Sequence, residues 1–470
     1  MKIVDLLFLN KIKIFLLLLL IASISAFYFQ TGNFSPDSWT YFELSKTFYT
    51  TSFYEPNTIR NYLDYEKSSS FPFGFPFMLS VINKIFLESP VNSVYLNIFS
   101  AFLSIIFLFQ ITKELKFNNL MSLAVTLSFF FYPPYLSEIY SGRSIPLATL
   151  LFILGLLIFI KYESLFFSMV FVGISVVVRF DFLIFSLLFA FYVFIFSKEI
   201  FLKKIIILVA ILISLSPWIV FSLEHFDSLW ASDNSWVSKS AVSDYVLDFP
   251  ASSDKTIINA PYLWVLKVIN NIPHLTFSFL KASAFQSLSI FLLLIFFYLI
   301  FIKNIYLSRQ DFVFIFVMIM SFFPYLTTGY FSRRYFSFHF LMINLYFACR
   351  LNNFESFLKR YTLLTSVILS IFLGALFFAR GYLSIEKNRE DNLKQMDIIK
   401  TISSKHSQET GITYIFFGSD TFAAKYGAFT GLRSAMPPAN FGNMTEIEKN
   451  NYFNTMGEFR IIHLDDYLKK

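Results

Sequence analysis

The chain has 470 residues, of which 56% are hydrophobic and 15% charged, with a net charge of +7 and a mean hydropathy of +0.61. Soluble domains carry nearer a quarter charged residues, so a water-solvated protein is excluded and the long apolar runs mark an integral membrane protein. The basic residues flank those runs instead of forming a face interleaved with stacking aromatics, which excludes a nucleic-acid-binding protein. The lone cysteine, Cys349, excludes an internal disulfide.

In chain order, apolar windows fall at Ile14–Phe29, Val94–Ile111, Leu120–Leu136, Ile145–Ile160, Leu165–Val178, Phe182–Phe196, Ile205–Leu223, Leu288–Ile302, Phe312–Leu326, Tyr335–Ala348 and Leu363–Phe378, eleven expected spans. Several extend into flanking residues to reach the roughly 20 that a helix needs to cross a bilayer. With the N-terminus inside, inner segments carry fourteen basic residues, among them Lys11, Lys13, Lys113, Lys161, Lys203, Lys204 and Arg350. The short outer turns carry four: Arg143, Arg179, Arg333 and Arg334. That bias follows the positive-inside rule and puts loop 30–93, loop 224–287 and the tail after Arg380 outside. The first window also fits a cleaved signal peptide, with Ala22-Ser23-Ile24-Ser25-Ala26 as the cleavage region. We read it as a retained helix, since a polytopic chain needs no separate export signal.

The chain thus divides into a transmembrane module, 1–380, and a small outer α/β domain, 381–470. In the second outer loop, Tyr262-Leu263-Trp264-Val265-Leu266-Lys267-Val268-Ile269 suits a helix lying in the interface or packed on the spans. In the tail, Ser384–Lys405 reads as a charged helix. The runs Thr413–Gly418 and Phe459–Leu464, bounded by turn residues, read as buried strands. The 66 phenylalanines read as lipid-facing bulk.

Residues that could carry chemistry cluster at the outer boundary. Asp37 follows the first window directly, behind Pro36. By spacing it suits a helix cap, because Asp37-Ser38 precede a helical pattern, as well as a general base. Four arginines in outer turns oppose the charge bias of the chain. A guanidinium binds phosphate oxygens through a planar fork and stays charged, so the set suits an anion site, and headgroup contact is the plainer reading for any one of them. Glu66 and Lys67 form a charge pair before the Phe71–Leu79 turn.

These stretches carry a resemblance. Thr31-Gly32-Asn33-Phe34-Ser35-Pro36-Asp37-Ser38-Trp39-Thr40-Tyr41, with Ser70–Leu79 after it, resembles the first outer loop of the GT-C glycosyltransferases. The similarity is to the branch related to protein O-mannosyltransferases and lipid A aminoarabinose transferases. Ser175-Val176-Val177-Val178-Arg179-Phe180-Asp181 resembles the Arg-containing turn between central spans. Gly329-Tyr330-Phe331-Ser332-Arg333-Arg334-Tyr335 resembles the Arg-Tyr signature of a late span, and Ser216-Pro217-Trp218 the Pro-Trp of a middle one. Phe417–Tyr426 and Thr430-Gly431-Leu432-Arg433 resemble the small C-terminal domain of bacterial members. The sequence departs in having Ser38 where many members have a second acid. It also has Phe221-Ser222 where Arg-Asn is usual, three serines between Lys67 and Phe71, and Glu138 earlier in its outer turn than the usual acid.

The resemblance implies a polytopic α-helical GT-C fold and an inverting transfer of sugar from a polyprenyl-phosphate carrier to a lipid, glycan or protein acceptor. The site would face outward from a bacterial plasma membrane. It implies Asp37 as catalytic base, Arg143, Arg179, Arg333, Arg334 and Lys67 on the donor phosphate, and Glu66 near a metal. Some members use a divalent metal and others none; Asp37, Glu43, Asp64 and Glu66 are the oxygen donors in the first loop. An O-antigen polymerase or ligase is an alternative, but its large loop usually falls late in the chain. A transporter would show charges inside spans and paired broken helices in two matching halves.

Overall fold

The computed structural model describes residues 34–48, 58–59, 71–196, 201–226, 228–229, 256–286, 288–292, 294, 308–329, 331–351, 357–383, 394–395, 397–402, 404, 414–417, 425–426, 434–435, 443–455 and 460–463. The first expected span and the Glu66-Lys67 pair lie outside them.

Two helices come before the bundle proper: α1 (Pro36–Thr47) and α2 (Gly74–Ile85). The bundle then runs through α3 (Val91–Glu114), α4 (Asn119–Phe130), α5 (Pro133–Tyr140), α6 (Ile145–Tyr162), α7 (Leu165–Val178), α8 (Phe182–Phe196) and α9 (Phe201–Phe226). It continues with α10 (Pro261–Ser283), α11 (Arg309–Ser321), α12 (Phe323–Thr328), α13 (Ser337–Leu351) and α14 (Phe357–Leu383). By length and composition, four described helical stretches can cross a membrane: Val91–Glu114, Ile145–Tyr162, Lys204–Glu224 and Arg309–Thr328. The bent pair α4–α5 makes a fifth if it counts as one span, and Leu165–Val178, Phe182–Phe196 and Leu363–Phe377 are shorter apolar helices.

Local chemistry fixes where these helices start and break. Asn118 caps α4 by accepting from the Met121 N–H at 2.8 Å. Ser308 and Asp311 form a capping box at α11. The 56° bend between α4 and α5 comes at Pro133-Pro134, which supply no N–H to the preceding turn. The Tyr132 N–H goes to the Phe129 carbonyl, leaving the Ser128 carbonyl without its helical donor. The Gln286 side chain replaces that donor, Nε2 standing 3.0 Å away.

The bundle is apolar outside as well as inside. Along α9, Leu208, Leu212, Ile213 and Val220 are exposed while Ile207, Ala210, Ile211 and Trp218 are buried, as expected where lipid is the solvent. Small and hydroxylated residues face inward. A Cβ at Gly155 would lie 2.7 Å from Val172 Cγ2 and 2.8 Å from the Ser168 carbonyl, so α6 and α7 touch where no side chain intervenes. Buried serines bond carbonyls one turn back, Ser100 on Leu96, Ser104 on Ser100, Ser186 on Phe182 and Ser214 on Ala210, each at 2.8 Å. Ser186 and Ser214 also reach the Val172 and Val170 carbonyls of α7 at 3.1 Å. The phenylalanines are not lipid-facing bulk alone. Phe338 is ringed by Phe152, Phe182 and Phe185 at 4.7, 5.1 and 4.6 Å, and all four are buried. Edge-on packing of this kind fills the gap between helices.

The second-loop helix is α10. Tyr262, Val265, Ile269, Ile272 and Leu280 are exposed, while Lys267 and Asn271 are buried. An apolar outward face with polar groups turned inward suits a helix against the spans and in contact with lipid. Asn271 holds it by donating to the Leu326 carbonyl at 2.9 Å.

The two strands expected in the tail are present as β2 (Tyr414–Phe417) and β4 (Arg460–His463), paired in parallel with Tyr414 opposite Arg460 and Phe417 opposite His463. Two further strands, β3 (Ser434–Ala435) and, at the edge, β1 (Thr58–Ile59) from the loop between α1 and α2, complete a four-stranded sheet. Its order is β1-β3-β2-β4. The sheet is therefore shared between the loop and the tail.

Candidate active site

The helix α1 that follows the first window begins with Ser35, whose Oγ accepts from the Ser38 N–H at 3.2 Å. Pro36 occupies the first helical position, where its missing N–H costs nothing. Asp37 is therefore not the cap. Its carboxylate lies beside two guanidiniums, with Arg143 Nε at 3.7 Å and Arg334 Nη2 at 3.8 Å from Oδ2.

Arg143 comes from the turn after α5. Its Nη1 stands 2.6 Å from Glu138 Oε1, and its Nε donates to Ser35 Oγ at 2.8 Å. Arg334 Nη1 reaches the same Glu138 oxygen at 3.6 Å, so one fully buried carboxylate is shared by both cations. Glu138, in the turn where the resemblance places an acid nearer the end, is thus a central member of the site. Its second oxygen, Oε2, has no hydrogen-bond partner among the described residues.

Arg334 comes from the 3-10 turn Arg333–Phe336. At three residues per turn, successive side chains point about 120° apart, so neighbouring arginines cannot serve one ligand equally. Arg334 turns in and lies over Tyr335, 5.1 Å from the ring centroid. Arg333 is exposed with its guanidinium 5.9 Å from the Phe285 ring, and its carbonyl accepts from Tyr132 Oη at 2.9 Å. Of the two, Arg334 stands beside Asp37 and Glu138, and Arg333 does not join that cluster among the described contacts.

Arg179 lies at the end of α7 and is held by Asp181 Oδ2, 2.9 Å from Nε and 2.8 Å from Nη2. It faces Tyr335 from 5.1 Å, and its Nη1 donates to Ser144 Oγ at 3.3 Å. Ser144 Oγ also lies 2.8 Å from Tyr41 Oη. Burial pushes the Tyr41 phenol up to about 12, so it remains a neutral hydrogen-bonding group at physiological pH. Behind this chain, Trp218 is buried against Phe180, Phe73 and Phe221 at 4.9, 6.2 and 5.4 Å. The Pro-Trp motif thereby joins the Arg179 turn to the start of α2.

Asp37, Arg143, Arg179 and Arg334 therefore share one end of the bundle, connected through Glu138, Ser144 and Tyr335. Three carboxylates (Asp37, Glu138, Asp181) balance three guanidiniums (Arg143, Arg179, Arg334). Arg143 is pinned by Glu138 and Arg179 by Asp181. The Asp37 contacts, at 3.7 and 3.8 Å, lie beyond hydrogen-bond length. Among the described residues no group of three or more His, Cys, Asp or Glu side chains could hold a metal ion; Asp64 and Glu66 lie outside them, as does Lys67.

This geometry sits on a fold already seen in crystals. The chain superposes on ArnT from Cupriavidus metallidurans bound to undecaprenyl phosphate with a TM-score of 0.55 at 9% identity, over 96% of this chain and 90% of that one. It has the ArnT fold. The apo state of the same ArnT gives 0.52 at 10% identity over the same shares. No family model matches the sequence, and no curated protein matches it. The likeness to ArnT therefore rests on three-dimensional arrangement.

Proposed function

We propose that this chain is an inverting glycosyltransferase of the GT-C type, moving a sugar from a polyprenyl-phosphate carrier to a lipid, glycan or protein acceptor on the extracytoplasmic face of a bacterial plasma membrane. The observation that carries the reading is Asp37 placed between Arg143 and Arg334 at one end of the bundle, on a fold shared with a protein crystallised with undecaprenyl phosphate. The positive-inside bias of the sequence supports the outer side for that end.

The chemistry follows from the charges. Asp37 takes the proton of the acceptor hydroxyl as its oxygen attacks the anomeric carbon. The bond from that carbon to the phosphate oxygen breaks on the opposite face of the sugar, which inverts the centre as in the single-displacement geometry of inverting hydrolases. Arg143 and Arg334 stabilise the phosphate as it gains charge. Arg179, pinned by Asp181 and linked through Ser144 to Tyr41, supports the same wall. Lys67 and Glu66 keep the roles that the resemblance implies as proposals, while Arg333, turned to Phe285, is assigned no contact with the phosphate.

The test is transfer by the protein in nanodiscs, using a panel of polyprenyl-phosphate sugars and following release of polyprenyl phosphate. Asp37→Asn is expected to lower transfer by about a thousandfold or more, in line with loss of a general base. It should still bind undecaprenyl phosphate. Full activity in that variant, or no turnover by the wild type with any polyprenyl-phosphate sugar, overturns the reading.

A further inference from the structure

We infer that Asn97 is a positioning residue for this site, an inference that rests on the function proposed above. Asn97 lies on α3, fully buried, and its amide nitrogen faces three main-chain carbonyls of the Glu138–Arg143 turn. They are Arg143 O at 2.7 Å, Glu138 O at 3.2 Å and Ile139 O at 3.4 Å. Glu138 and Ile139 lie in the last turn of α5, where their carbonyls also accept from the Arg143 and Gly142 N–H groups at 3.2 and 3.4 Å, so Asn97 adds a donor from a second helix to a turn that already closes on itself. One amide therefore ties the closed end of α5, and the Arg143 carbonyl beyond it, to α3. The amide orientation is fixed by chemistry, since the reverse would set its oxygen against three carbonyl oxygens.

The same turn is gripped from the other side by the helix of Asp37. Ser38 Oγ donates to the Ser141 carbonyl, and Tyr41 Oη meets Ser144 Oγ at 2.8 Å. Between the two grips lies Gly142 at φ +72°, where a Cβ would come within 2.2 Å of Ser93 Oγ on α3. Only glycine accepts both that backbone and that approach. The turn carrying Glu138 and Arg143 is thus clamped between α1 and α3, and Asn97 sets the distance from Arg143 to Asp37. An error of an ångström in such a spacing weakens catalysis far more than binding.

The experiment compares Asn97→Ala and Asn97→Ser, which keeps a donor on a shorter arm, with Ser100→Ala. Ser100 is buried one turn along the same helix and bonds only within it. Each variant is assayed in nanodiscs for kcat, for donor KM, for binding of undecaprenyl phosphate by native mass spectrometry, and for Tm. Asn97→Ala is expected to lower kcat at least tenfold with less than a threefold change in KM and carrier binding. Asn97→Ser should fall between it and the wild type, and Ser100→Ala should keep kcat within twofold for a comparable loss of Tm. If the wild type binds and transfers while kcat in the Asn97 variants stays within twofold, or falls no further than in Ser100→Ala, the positioning role alone is wrong. A wild type that neither binds the carrier phosphate nor transfers from it overturns the function and this inference together.

Discussion

Arg334 reaches Asp37 from a turn late in the chain, its Nη2 standing 3.8 Å from Oδ2, while its neighbour Arg333 lies over Phe285. The pair provides an internal control for the anion site. Truncating one partner of a largely buried charge pair costs roughly 2–5 kcal/mol, so Arg334→Ala is expected to weaken binding of undecaprenyl phosphate by about thirtyfold or more. Arg333→Ala should change it by less than about threefold. Equal losses in native mass spectrometry titrations would place both side chains on the ligand.

Glu138 is expected to matter first for stability. Its Oε1 is the common partner of Arg143 and Arg334, and its removal leaves two guanidiniums facing each other in a buried site. Breaking a buried pair by removing one partner costs about 3–5 kcal/mol. Glu138→Ala should lower the Tm in detergent by several degrees, and Glu138→Gln, which keeps an acceptor oxygen, by less. The same Tm for the wild type and both variants would refute this balance.

The bend between α4 and α5 depends on Gln286 acting as donor to the Ser128 carbonyl. Gln286→Leu fills the volume but leaves that carbonyl unsatisfied, at a cost of about 1 kcal/mol. The expected result is a modest fall in Tm with the donor affinity kept. A gain in stability would show that the carbonyl is satisfied in another way.

Lys425 gives a dependence on pH. It is 3% exposed, with Nζ 5.9 Å from the Trp39 ring and 3.4 Å from Gln395 Oε1, and burial pushes its ammonium down from 10.5 to about 8. Between those values the unfolded chain holds a proton that the folded chain has shed. Stability therefore rises with pH across that window, and the full cost of burying the charge is present below it. Lys425→Met removes the group, so the Tm difference between variant and wild type should shift steadily in favour of the wild type from pH 7.5 to 10. A difference independent of pH would show that the ammonium is not desolvated.

Much of the helical frame was legible because lipid imposes long apolar runs. Helices at 145–162, 165–178 and 182–196 fall within two residues of the windows read from hydropathy. The break at Pro133-Pro134 was not read as such, since a window average smooths over two prolines. Within the site, the four turn arginines stood out by opposing the charge bias, and Asp37 by its place directly behind the first window and by the resemblance. Glu138 and Asp181 carried a signal that went unused: arginines set inside a turn near lipid need carboxylate partners, and each of these acids lies within five residues of one. Ser35 as cap was hidden because Ser35 and Asp37 are equally good capping types, and only the backbone decides between them. Nothing in a linear pattern could have parted Arg333 from Arg334, because the tight 3-10 turn that separates them is set by tertiary packing.

The pairing of Thr58–Ile59 with Ser434–Ala435 joins segments far apart in the chain. Helices can enter the bilayer one after another during synthesis, but this strand waits for its β3 partner until residues 434 and 435 have been translated. A product truncated before residue 434 would therefore lack the strand that β1 pairs with.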